Sequence, residues 1–141
     1  MNKRTPLRVA RPTDRLDAVT RFYVAGIGLH RLDSFVDHDG FDGVMLGVPG
    51  AAYHLEFTRR PGHSASPAPS EENLLVFYLP EPRQWKAAMA RMTAAGFHPV
   101  PSINPYWDRG GATFEDPDQY RVVLYNGRWR DKWSCATHIT T

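Results

Sequence analysis

Cysteine is almost missing from this chain: Cys135 is the single one in 141 residues. One thiol excludes an intrachain disulfide and a thiolate metal cluster, so nothing points to an oxidising compartment. Long apolar runs are missing as well. No stretch approaches the ~20 apolar residues that a membrane-spanning helix needs. The basic start, Met1-Asn2-Lys3-Arg4-Thr5-Pro6, gives way to Leu7-Arg8-Val9-Ala10-Arg11-Pro12, which is too short and too charged for a secretory signal. An excess of one charge is also lacking. Seventeen Lys and Arg stand against fifteen Asp and Glu, interleaved, for a net charge of +2, without the clustered positive face that a phosphate backbone requires. The expectation is a cytoplasmic protein with neither nucleic acid nor membrane as a partner.

What is present suffices for one packed domain: 42% hydrophobic and 12% aromatic residues over a length that fits a single unit, residues 1–141. Within it, one pattern is passed through twice. Residues 7–58 read as strand, helix and three strands. The strand at 7–11 ends at Pro12, Thr13 or Asp14 caps a helix bearing Leu16, Val19, Phe22, Tyr23 and Ile27, and Gly28 stops it. Strands at 30–36, 43–48 and 53–58 follow. A polar connector rich in Pro and Ser, 59–73, leads to the second pass, 74–126. It has a strand at 74–79, a helix from near Pro82 with Trp85, Met89 and Met92 on one stripe, a stop at Gly96, and strands at 97–101, 112–115 and 121–125. Residues 127–141 form a tail. The two modules, Tyr53-to-Thr58 and Tyr120-to-Tyr125 ending them alike, imply an α+β fold in which each sheet buries one face under a helix and leaves the other concave.

Strand alternation assigns the faces. Tyr53, Leu55 and Phe57 turn to the helix, leaving His54, Glu56 and Thr58 to line the cavity; Val122 and Leu124 turn in, leaving Arg121, Val123 and Tyr125. His54 and Glu56, side by side on one strand, suit an acid/base pair. The alternatives are that Glu56 binds a ligand without chemistry, or neutralises a buried Arg11 or Arg121. A second candidate is the Pro- and Gly-bounded loop 102–111, whose Tyr106 and Trp107 suit a lid over a ligand or a dimer contact, or else fold back on the sheet. The acidic stretch 37–43 lacks the ligand spacing of a calcium loop and reads as a hairpin turn. The remaining histidines are scattered without zinc spacing.

Phe22-Tyr23, Gly26-Ile27-Gly28-Leu29, Leu55-Glu56-Phe57 and Phe114-Glu115-Asp116-Pro117-Asp118-Gln119-Tyr120-Arg121-Val122-Val123-Leu124 together resemble the vicinal oxygen chelate superfamily, the group of glyoxalases, extradiol dioxygenases, fosfomycin-resistance enzymes and bleomycin-binding proteins. The resemblance implies paired βαβββ modules in an open, mixed barrel-like sheet around a cavity, commonly in a homodimer. In metal-using members the ligands come from the first and last strands of each module. Those positions fall here on Leu7 or Arg8, Glu56, Asn73 or Leu74, and Val123. Leu, Val and Arg are not ordinary ligands of a divalent ion, so no metal or other cofactor is expected. The resulting expectation is a small organic ligand in the concave sheet, with His54 and Glu56 as candidate catalytic residues and Arg11, Thr58, Tyr106, Trp107, Arg121 and Tyr125 around the ligand. A drug-sequestering protein and a lyase or dioxygenase with unconventional ligands are the alternatives.

Overall fold

The computed structural model describes residues 1–129; Cys135, His138 and the tail from residue 130 lie outside the described residues. The first module contains β1 (Leu7–Pro12), α1 (Leu16–Arg21), β2 (His30–His38), β3 (Phe41–Gly47) and β4 (Tyr53–Arg59). The second contains β5 (Leu74–Tyr78), α2 (Pro82–Ala94), α3 (Tyr106–Gly110), β6 (Gly111–Glu115) and β7 (Arg121–Tyr125). Each module repeats one topology, its first strand lying parallel to its last. The first sheet has the order β1-β4-β3-β2 and the second β5-β7-β6, and they remain two open sheets, not a closed barrel.

Three local readings change. The strand expected at 97–101 is reduced to one bridge, Val100 with Thr113, because Pro99 and Pro101 flank it and carry no N–H for a ladder. Helix α1 begins at Leu16, not beside its expected caps. The Thr13 hydroxyl accepts from the Arg15 N–H at 3.0 Å, while the Asp14 carboxylate accepts from the Ala65 N–H of the connector. Beyond Arg21 the helix widens into a π-helical turn, Phe22–Ile27, which ends where expected at Gly28, in the left-handed region at φ 92°.

One hydrophobic core joins the modules. Val19, Phe22, Tyr23 and Ile27 meet Val44, Leu46, Leu55 and Phe57 of the first sheet, and the same cluster continues through Ala88, Met92, Phe114, Val122 and Leu124 of the second. Tyr23 stacks on Phe57 with ring centroids 4.9 Å apart, and Phe22 meets Phe97 edge-on at the same distance. The guanidinium of Arg91 on α2 closes the seam, donating to the carbonyls of Gly26 and Ile27 at the end of the π-helical turn. Among the described residues, no helix is long and apolar enough to cross a membrane.

Candidate functional site

With Leu55 and Phe57 committed to the core, the period of two in β4 turns His54, Glu56 and Thr58 to the opposite, outer face of the first sheet. The parallel register Arg8↔His54 and Ala10↔Glu56 then sets Arg8 beside both. Its Nε donates to His54 Nε2 at 2.8 Å and its Nη1 to Glu56 Oε2 at 3.1 Å. Accepting at Nε2 fixes the imidazole as the tautomer with its proton on Nδ1. The Arg8 side chain is 48% exposed and that of Glu56 15%, so the pair contributes only about 0.2–1 kcal/mol to stability. Its significance is a fixed array of cation, imidazole and carboxylate on an open surface. Around it the outer face is mixed, with Asp33 and His30 of β2 beside three apolar side chains. Met45 lies opposite Glu56, Leu32 reaches over Gly47, and the Phe35 ring lies across Gly43, where any Cβ would fall 2.2 Å from that ring.

The other sequence candidates do not join this array. Arg11 lies on the core side of β1. Its guanidinium sits 3.8 Å over the Tyr120 ring, and one terminal nitrogen is buried without a hydrogen-bond partner among the described residues. Side-chain alternation along 7–12 carries this, since Arg11 shares a face with Val9. Arg121 does face away from the helices, but it is buried. Its Nε donates to Glu115 at 3.3 Å, its Nη1 to the Pro101 carbonyl at 2.9 Å, and its Nη2 pairs with Glu71 at 3.4 Å. Tyr106 stacks on Tyr125 at 5.8 Å, Trp107 meets the same ring edge-on at 5.7 Å, and the Ser102 hydroxyl lies 2.7 Å from that of Thr113. The 102–110 segment thus folds back over the outer face of the second sheet, leaving only about 120 Å³ beside Arg121 and Trp107. Thr58 stays on the first sheet's face, two residues beyond Glu56.

The four positions that the resemblance associates with a metal can now be tested. Val123 is fully buried, Arg8 is a cation already bound to Glu56, Leu7 and Leu74 have no donor atom, and Asn73 has only a weak amide oxygen, so at most Glu56 and Asn73 could donate. Among the described residues, no three His, Cys, Asp or Glu side chains are grouped so as to hold an ion. These residues do not fit a divalent metal. Arg8 is the member of the array that sequence reasoning missed. The signal was its place in the charged 7–12 strand, but only the register with β4 shows its partners.

The most specific sequence segment is structural. Asp116 accepts from the N–H groups of Asp118 (2.8 Å) and Tyr120 (3.0 Å) through Oδ1, and from the Tyr23 hydroxyl through Oδ2 at 2.7 Å. Burial pushes the Asp116 carboxyl up from its usual range despite these bonds, and pushes the Tyr23 phenol well up.

Two family models match the chain, the YycE-like N-terminal domain over residues 7–58 and the YycE-like C-terminal domain over residues 72–126. The YycE protein of Bacillus subtilis is 47% identical over 122 residues, 86% of this chain and 88% of that one. The crystal structure of that protein superposes with a TM-score of 0.81, covering 89% of this chain and 92% of the other at 45% identity. The fold also matches the fosfomycin resistance protein FosX of Mesorhizobium loti, with a TM-score of 0.68 at 10% identity over 90% of this chain and 94% of that one. It matches the trypanothione-dependent glyoxalase I of Leishmania major, with a TM-score of 0.68 at 21% identity, covering 92% and 91%.

Proposed function

The chain belongs to the YycE-like family, with the fold of the vicinal oxygen chelate superfamily, and from that premise we propose that it binds a small organic molecule on the outer face of its first sheet, without the superfamily's usual metal. The observation that carries this is the Arg8 guanidinium held between His54 and Glu56. Where a metal-using relative would present an ion, this face presents an arginine, whose planar donor fork suits a carbonyl or carboxylate oxygen of a ligand. Binding takes precedence over acid/base turnover in this reading, because Arg8 engages the His54 lone pair that a general base would use. Sequestration of a drug-like molecule is the form of binding that needs no turnover at all. A homodimer and a cytoplasmic setting belong to the same proposal. Support for the dimer comes from the resemblance and from the outer edge of β1, open and carrying the exposed Leu7.

A metabolite screen read by thermal melting tests the reading. A ligand at about one hundred times its Kd adds about 2.7 kcal/mol to the stability of the wild type. That gain should disappear in Arg8→Gln and shrink in Glu56→Gln, while both unliganded variants melt close to the wild type. A ligand whose stabilisation is untouched by Arg8→Gln binds elsewhere and removes this face from the function.

A further inference from the structure

The outer face of the first sheet does not end at Glu56. Continuing the same side-chain alternation, Pro12, Thr58 and Phe41 form the floor of a cleft of about 290 Å³, and Arg60, His63, Ser64 and Ala65 of the connector form its wall. Thr58 lies roughly 7 Å beyond Glu56 along β4. The wall is anchored: both oxygens of Asp14, the one carboxylate at the cleft, accept from the Ala65 N–H at 3.0 Å. The Arg60 guanidinium stands 5.7 Å over the Phe41 ring and forms no ion pair or side-chain hydrogen bond among the described residues. His63 uses only Nδ1, 3.4 Å from the Pro61 carbonyl. An arginine fork with no hydrogen-bond partner among the described residues, an imidazole and two hydroxyls, Thr58 and Ser64, therefore converge on one small space, while the row between it and Arg8 runs Ala10, Glu56, Met45 and Asp33, with Glu56 paired to Arg8 and Phe35 beside Gly43.

We propose that this cleft receives a terminal oxyanion, a carboxylate or a phosphate monoester, of an elongated ligand whose apolar body lies along Phe35 and Met45 toward Arg8. The proposal rests on the reading of this face as the ligand surface and adds the ligand's chemical class and its direction. Arginine is the side chain whose fixed fork matches both oxyanions. With the Glu56 charge paired to Arg8, Phe35, Met45 and Ala10 favour an apolar body over an anionic one, and the missing Cβ at Gly43 makes room for the Phe35 ring.

The test titrates the full chain with octanoate, octyl phosphate, octylamine and octanol, following backbone amide shifts. Octanoate or octyl phosphate should bind with shifts at Thr58, Ser64 and Ala65, and whichever binds tighter identifies the anion. Octylamine and octanol should bind about tenfold or more weaker, and Arg60→Gln should weaken the better acid by about tenfold. Arg60 is exposed and unbonded, so the variant retains the fold. Equal binding of octylamine, unchanged affinity in Arg60→Gln, or no binding of either acid overturns the proposal. If the acids still shift Met45 and Glu56 with Arg60→Gln indifferent, the outer face remains a ligand surface and only the cleft falls. If the acids leave the whole face unshifted, and ligands from the melting screen are indifferent to Arg8→Gln, both readings fall together.

Discussion

Asp116 shows what a single residue does for this molecule. Its carboxylate organises the turn 116–120, with Gln119 at a positive φ of 70°, and ties that turn to Tyr23 in the other module. Because burial raises its pKa in the folded state, the folded protein holds the Asp116 proton to higher pH than the unfolded chain does. This group's contribution is therefore most favourable in acid and is lost as pH rises from the ordinary carboxylate value through the raised one. Asn in its place keeps an oxygen for both N–H groups and removes the buried charge. The stability of Asp116→Asn relative to wild type should thus improve as pH rises from about 3 to 7 in urea unfolding. A difference that stays flat with pH would show that the charge costs nothing. The Asp-Pro-Asp-x-Tyr motif was legible in the sequence, but its role as a seam between modules was not, since Tyr23 is 93 positions away. Arg8 escaped for the same reason. Alternation assigns a face to each strand, but which strand lies alongside is a non-local fact.

At the scale of elements, the junction of the π-helical turn and α2 leaves no room for an added side chain. Gly28 holds a left-handed φ, and a Cβ there would come within 2.6 Å of the Arg91 guanidinium carbon. Gly28→Ala should cost more than the about 1–2 kcal/mol of a left-handed alanine, because Arg91 must also leave the carbonyls of Gly26 and Ile27. In an Arg91→Met background the same change should cost only the backbone part, and a double-mutant cycle from denaturation midpoints measures the difference. Strict additivity would mean that the two residues do not interact. Helix stops at Gly28 and Gly96 and most strands were readable from glycine placement and alternation. The lost strand at 97–101 was readable in principle, because Pro99 and Pro101 cannot serve a ladder. The folding back of the 102–110 segment was not, since its Tyr and Trp fit equally a lid, a dimer contact or a local core.

For the whole molecule, the order of elements follows from the repeat, so the fold class was legible from the pattern and from the resemblance together. The relation of the two outer faces was not, and the expected meeting of His54, Glu56 and Arg121 gives way to two separate clusters. A donor set without a metal predicts a measurement on the intact chain. Purified without a metal-affinity tag, it should carry well under one equivalent of nickel, zinc, manganese or iron, and its melting temperature should not fall after chelation. Near one equivalent, with a lowered melting temperature on removal, would reinstate metal chemistry. The closed face of the second module bears on how such a protein can change over generations. Of the two outer faces, that of the second sheet is covered, its Tyr125 packed by Tyr106 and Trp107 and its Arg121 held by the Pro101 carbonyl. The other keeps a bare surface whose Leu32, Phe35 and Met45 lie outside the shared core. Substitution at these three side chains therefore alters the proposed ligand surface without touching the core that both modules share.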